Sequence, residues 1–305
     1  MDIRRLELLR ELADRGSITA VAQATRRTAS AVSQQLKILE REAGVPLTER
    51  SGRGVALTSA GRALARTATD VATAIERAEA LWEDFRSQPL GEVTLTIFPT
   101  GGQMLLPGLL SAIDGMAGLT LHANDLDSHV TEVADLTADF DIVVADSPGV
   151  RPSWAKRGLT VVPLMREPLD IALPEGHYLG DRTVLTPADL IDEAWIGTPR
   201  DLPFDKILRS VEAVNGLPAN IVQRLADNGV VESLVAAGHG IAILPRYTTR
   251  DRENGLITRP LQGVRASRLI SAILRPDRAE RPSVRVVIEA LRAEAERFED
   301  AHQTS

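Results

Sequence analysis

Apolar residues recur at helical spacing through the first part of the chain and change to strand-like alternation near residue 92. Ile3, Leu6, Leu9 and Leu12 share one side of a helix that Asp2 can cap and Gly16 can end. Ser17 caps a short alanine-rich helix over 18–24 that turns Val21 inward, and Thr25-Arg26-Arg27 makes a turn. Thr28 then caps a third helix running to about residue 42. Its stripe of Val32, Leu36, Leu39 and Ala43 is buried, while Ser30, Ser33, Gln34, Lys37 and Arg41 occupy the other side. Every member of that second set can hydrogen-bond. Periodicity alone allows an ordinary amphipathic surface helix here. A short helix, a three-residue turn and a polar-edged helix also fit a helix-turn-helix, whose second helix enters the major groove of DNA.

The residues after this helix favour the second reading. Gly44-Val45-Pro46-Leu47 ends it, Arg50-Ser51-Gly52-Arg53-Gly54 has turn composition, and Val55-Ala56-Leu57-Thr58 reads as a short strand. A two-stranded wing with Arg53 at its tip could reach an adjacent minor groove, where arginine is favoured. Lys37, Arg50 and Arg53 are expected to hold phosphates; Thr28, Ser30, Ser33 and Gln34 sit where base edges or nearby phosphates are read.

A long helix follows over 59–88, capped by Thr58. Leu64, Ala68, Val71, Ile75, Ala78, Trp82 and Phe85 recur at alternating steps of four and three, the seam of a coiled coil. At ~1.5 Å per residue such a helix reaches roughly 45 Å. A stripe that narrow suits pairing with a second copy, through Leu64, Val71, Ile75, Ala78 and Trp82; packing against the chain's own body is the other reading. Pro89 stops the helix, and Leu90-Gly91 reads as a hinge.

Beyond it, residues 92–97 alternate strictly, and strands and helices then take turns. Strands are expected at 120–123, 140–145, 159–162, 170–173, 194–197, 221–225, 241–244 and 268–274, and helices at 104–113, 130–136, 204–214, 229–237 and 284–298. That order predicts an α/β body with a parallel sheet covered on both faces.

Composition sharpens the picture. A chain of 305 residues, 44% hydrophobic and 25% charged, suits two or three globular domains. The apolar runs are far shorter than the ~18 residues of a membrane span, and charges at Asp2, Arg4, Arg5 and Glu7 argue against a secretory leader. With no cysteine, thiol nucleophiles, disulfides and zinc-thiolate sites are excluded, which suits a reducing cytoplasm. The net charge of −7 divides unevenly: residues 1–66 carry twelve Lys and Arg against seven acids, the remainder 23 against 35. A basic head on an acidic body lets one end alone approach phosphates.

Catalytic chemistry finds little support. The histidines at 122, 129, 177, 239 and 302 lack metal-site spacing, and Gly238-His239-Gly240 lies between a helix and a strand, the reverse of a dinucleotide loop. Asp139 and Asp141 flank Phe140 and could form a paired-carboxylate site, although strand-edge aspartates are commoner. No catalytic residue, metal or cofactor is expected.

The first ninety residues closely resemble the LysR-type transcriptional regulators. The resemblance rests on Gly16-Ser17-Ile18-Thr19-Ala20-Val21-Ala22, Ala31-Val32-Ser33-Gln34-Gln35-Leu36, Leu39-Glu40-Arg41-Glu42-Ala43-Gly44-Val45-Pro46-Leu47, Arg50, and Leu57-Thr58-Ser59-Ala60-Gly61. Landmarks of the body are Leu105-Leu106-Pro107, the run from Phe140 to Ala145, and Gly238-His239-Gly240-Ile241-Ala242-Ile243-Leu244-Pro245. Two departures stand out: Ala29-Ser30 replaces the usual Gln-Pro pair, removing a base-reading amide, and Thr48 replaces an aromatic residue in the wing.

The resemblance implies a winged helix-turn-helix over residues 1–58, a linker and dimerisation helix over 59–89, and a periplasmic-binding-protein-like effector domain over 91–305. Within that domain, lobe I would span 91–162 and 269–300, and lobe II 163–268. It also implies a homodimer able to form a homotetramer on double-stranded DNA, and a small-molecule effector held between the lobes. Thr100, Gly101, Gly102 and Thr198 are the expected effector contacts, since glycines at a helix start admit a ligand to backbone amides; either threonine could instead be a helix cap. Arg200 could balance a carboxylate ligand or lie on the surface. An aromatic content of 3% argues against a cleft lined by rings. Two further readings remain open: an architectural DNA binder without ligand response, and an enzyme tethered to DNA.

Overall fold

The computed structural model describes residues 1–51, 54–85, 91–126, 133–200, 202–249 and 255–303. Three helices, α1 (Ile3–Arg15), α2 (Ile18–Ala24) and α3 (Ala29–Ala43), open the chain, each started by a side-chain cap. Asp2, Ser17 and Thr28 accept from the amides of Arg4, Ala20 and Ala31 at 2.8, 3.1 and 3.2 Å. Gly16 and Gly44 end α1 and α3 in the left-handed conformation, at φ 69° and 71°, where a side chain would be strained. Leu9, Val21, Val32 and Leu39 form the centre of the head's core.

The wing pairs β1 (Thr48–Ser51) with β2 (Gly54–Leu57) antiparallel. Arg50 and Ser51, expected in the turn, belong to β1, because the strands pair all the way to Ser51 opposite Gly54. Arg53 lies outside the described residues. The linker helix α4 (Ser59–Phe85) starts beside Leu47: a Cβ on Gly61 would stand 2.0 Å from the Leu47 carbonyl oxygen. Only glycine allows that approach, and it lets Ala65 and Ala68 enter the head's core, with Leu64 packed against it.

The body begins with β3 (Gly91–Ile97), α5 (Pro99–Ile113), β4 (Leu119–Asp125), α6 (Val133–Leu136), β5 (Ile142–Ser147), α7 (Pro152–Lys156) and β6 (Thr160–Pro174). It continues through β7 (Ala194–Gly197), α8 (Pro203–Asn215), β8 (Asn220–Arg224), α9 (Asn228–Ala236), β9 (Ala242–Pro245), β10 (Leu256–Pro260), β11 (Ser267–Leu274), α10 (Pro276–Glu280) and α11 (Pro282–Gln303). The strands expected at 159–162 and 170–173 are one 15-residue strand, β6. Pro163 and Pro168 lie inside it. The β6–β11 register shifts beside Pro163, and the irregularity tolerates a residue without an N–H.

The large sheet runs β10-β6-β11-β5-β3-β4, with β9 also on β6. It is parallel among β3, β4 and β5 but antiparallel where β11 meets β5 and β6. The all-parallel expectation fails there because the chain crosses to a second lobe along β6 and returns along β11. The lobes keep separate cores. Leu95, Leu105, Ile142 and Leu291 lie in the first. Leu169, Trp195 and Leu208 form one cluster of the second, with Val235 and Leu244 in another. Asp139 and Asp141 do not form a carboxylate pair. Asp139 binds Arg15 at 2.8 Å, whereas Asp141 is buried, accepts from the Thr94 amide at 2.9 Å and pairs with Arg281. Among the described residues, no helix is long and apolar enough to cross a membrane.

Candidate functional site

Two surfaces gather the candidate residues. On the first, α3 buries Val32, Leu36 and Leu39 and turns its other edge outward. Ser30, Gln34 and Lys37 are exposed and Ser33 is half-buried, while Thr28 stands at the helix start with its hydroxyl 3.1 Å from that of Ser30. Arg50 is exposed on β1, on the wing that follows. Glu40 ties the wing to the helix: its Oε1 accepts from the amides of Leu47 and Thr48 and the Thr48 hydroxyl, at 2.9, 2.8 and 2.9 Å. Partial burial works to raise the Glu40 pKa, but these hydrogen bonds outweigh it and hold the carboxyl below its ordinary value. Thr48 thus substitutes a hydroxyl donor to Glu40 for aromatic packing, a role its sequence context does not reveal.

The second surface is a cavity of about 380 Å³ between the lobes. Thr100 and Gln103 of α5, Asp146 at the end of β5 and Arg268 of β11 line one side; Thr198, Phe204 and Asn228 line the other. A contiguous space of about 570 Å³ shares Thr100, Gln103, Asn228 and Gly229 with it. Three helices begin at this cavity. α5 and α8, preceded by Phe98 and Leu202, lack a side-chain cap and open on Pro99 and Pro203, so the amides of the next two residues, Thr100 and Gly101 in one and Phe204 and Asp205 in the other, stay available; Asp227 caps α9. Such a site favours an oxygen acceptor.

Arg268 closes the floor. It is 3% exposed, donates to Glu167 and Thr100 at 2.7 and 2.8 Å, pairs with Asp146 at 3.3 Å, and lies between the rings of Phe98 and Phe204. Burial pushes the Glu167 carboxyl up, against the lowering charge and hydrogen bond of Arg268 and the Tyr247 amide. The two expected threonines face this space and neither caps a helix. Thr100 accepts from Arg268, and the buried Thr198 Oγ1 has no hydrogen-bond partner among the described residues. Gly101 and Gly102 lie elsewhere. Both are buried against Ile97, Phe98 and Leu106 and neither lines the cavity; a Cβ on Gly101 would meet the Phe98 ring at 2.7 Å, so close packing requires glycine there. Arg200 is exposed and outside the lining.

Comparison with known proteins matches the two parts of the chain that carry these surfaces. Residues 3–62 match the model of the bacterial regulatory helix-turn-helix protein, lysR family, and residues 86–296 match the LysR substrate binding domain. The chain belongs to the LysR family of transcriptional regulators. Among its relatives are the OxyR dual regulator of Escherichia coli, 26% identical over 96% of this chain and 95% of that protein, and a probable RuBisCO transcriptional regulator of Cyanophora paradoxa, 24% identical over 95% and 90%. Full-length CbnR in complex with its target DNA shares the fold, with a TM-score of 0.53 at 22% identity, covering 97% of this chain and 100% of that one.

This LysR-type regulator therefore joins a DNA-binding helix-turn-helix to an effector-binding α/β body. Sequence reading found the threonines of the cleft but missed Arg268, Phe98 and Phe204. The expectation of a cleft without rings fails, because low overall aromatic content says nothing about where the few rings go. One signal for Arg268 existed: an arginine early in the mainly apolar strand 267–274 must either reach solvent or find carboxylates.

Proposed function

We propose that the regulator reads duplex DNA with the exposed edge of α3. Lys37 and Arg50 hold phosphates, and Thr28, Ser30, Ser33 and Gln34 lie against base edges or nearby phosphates. Arg53, at the wing tip by sequence, extends the same basic surface. The observation that carries this reading is the division of α3 into a buried apolar stripe and a polar edge whose Ser30, Gln34 and Lys37 are exposed. Two copies would present two such edges, joined along the linker helix over 59–89 through Val71, Ile75, Ala78 and Trp82, with Leu64 at its start. Leu81 and Trp82 are 72% and 62% exposed in the single chain, which supports a partner there. Dimers of this kind can pair into tetramers, in the cytoplasm.

The interlobe cavity holds the effector, with lobe I over 91–162 and 269–300 and lobe II over 163–268. Its uncapped helix starts, unpartnered Thr198 hydroxyl and Arg268 suit a small molecule bearing an oxygen acceptor, carboxylate included. Binding on both sides of the cleft would favour one arrangement of the lobes by differential affinity. Relatives include hydrogen peroxide-inducible genes activators. Reversible oxidation of a cysteine to a sulfenic acid or disulfide needs a thiol, and this chain has none, so a non-covalent effector fits better. No catalytic role is proposed.

Duplexes selected from a random pool provide the test. Lys37→Ala should weaken binding to all of them alike and make the slope of log K against log salt shallower by about one unit. An unchanged slope removes Lys37 from the phosphate contact.

A further inference from the structure

A second cavity, of about 750 Å³, lies where the head, the linker helix and the body meet. Its walls come from the end of α1, the wing, the first turns of α4, the end of α7 with the segment after it, and Arg275 with Pro276 at the start of α10. It shares no residue with the interlobe cavity, and its size is that of a small-molecule pocket. Leu12, Val55, Leu57, Ala65 and Leu159 give it apolar surface.

Its charge is one-sided. Six cationic side chains line it, Arg10, Arg62, Arg66, Lys156, Arg157 and Arg275, against Asp14 and Asp70. Some are already satisfied. Arg275 pairs with Glu11, Asp14 and Asp277, Arg10 with Asp277, and Arg157 with Asp135. Arg66 and Lys156 make no hydrogen bond or ion pair among the described residues, and the buried Arg10 Nε also lacks a partner. An open cavity with apolar patches and two exposed, uncommitted cations at its wall is matched by an apolar molecule carrying one anionic group.

We propose that this junction cavity is a second ligand site, taking an organic anion with an apolar body and a carboxylate, sulfonate or phosphate head. Arg66 and Lys156 hold the anionic head while the apolar body lies against Val55, Leu57 and Leu159. Because the walls belong to the head, the linker and the body, the ligand binds only while these parts stay together. Occupancy therefore favours the docked arrangement over any in which the head swings free. The site is independent of the interlobe effector reading.

Anilinonaphthalene sulfonate, an apolar body with a single sulfonate, is the probe, titrated by fluorescence into the full-length protein. Saturable binding is expected, with one probe per chain at a site that persists when the interlobe cavity is filled. The double variant Arg66→Glu, Lys156→Glu should bind at least about tenfold more weakly, since two attractions become repulsions. Arg66→Lys should bind within about twofold of the parent, because either cation presents one positive charge to the anionic head. Ala155→Trp, which narrows the cavity from its exposed side, should also weaken binding, while Thr198→Trp, which fills the interlobe cavity, should leave it unchanged. Equal binding by the parent and the double variant overturns the proposal. So does loss of binding on Thr198→Trp alone, which would put the probe between the lobes.

Discussion

Replacing Arg268 by methionine removes the one cation between two buried carboxylates while roughly keeping the side chain's length. Glu167 is fully buried and Asp146 is 6% exposed, so neither gains much water when the guanidinium goes. Leaving a buried charge without its partner costs about 3–5 kcal/mol. For a body of this size each kcal/mol lowers the midpoint by ~2–4 °C, so a fall of roughly 10 °C is expected at pH 8. The loss must depend on pH. Burial raises the Glu167 pKa in the folded protein, so its favourable contribution is complete below the ordinary value of 4.5 and is lost as pH rises through the folded value. Removing Arg268 deletes the lowering interactions, raises that pKa further, and extends the loss to higher pH. The variant should therefore lie much closer to the parent at pH 5 than at pH 8, followed calorimetrically. Adding Glu167→Gln to it should recover part of the stability at pH 8. A deficit of equal size at both pH values, or a double variant less stable than Arg268→Met, would refute the assignment of that cost to an orphaned carboxylate.

Two further outcomes are expected. Gly61→Ala puts a Cβ 2.0 Å from the Leu47 carbonyl, so α4 must move away from the wing. Overpacking of this kind costs ~1–3 kcal/mol, read as a lower head midpoint and weaker DNA binding; a neutral result would mean that the contact yields freely. Replacing Leu81 and Trp82 by aspartate should give monomers in sedimentation, and dimers that persist would place the interface elsewhere on the chain.

Local patterns carried most of the DNA-binding head. Asp2, Ser17, Thr28, Gly16 and Gly44 act as the caps their types suggest, because capping is decided within a few residues of chain. The polar edge of α3 follows from a period of 3.6 residues in the same way. The body was legible as alternating elements but not as a topology. Residues 159–162 and 170–173 read as two strands, and only pairing with β11, about a hundred residues away, shows them to be one.

What the sequence determined by itself is thus what neighbours along the chain decide: helices, caps, the two faces of α3, the basic head and the absence of thiols. Tertiary structure alone decided what distant residues share. It set Arg268 beside Glu167, Asp146 and Thr100, brought Phe98 and Phe204 to the cleft, moved Gly101 and Gly102 out of it, and enclosed the junction cavity between head and body. The physical reason is that burial and charge pairing depend on separation in space, which no local periodicity encodes.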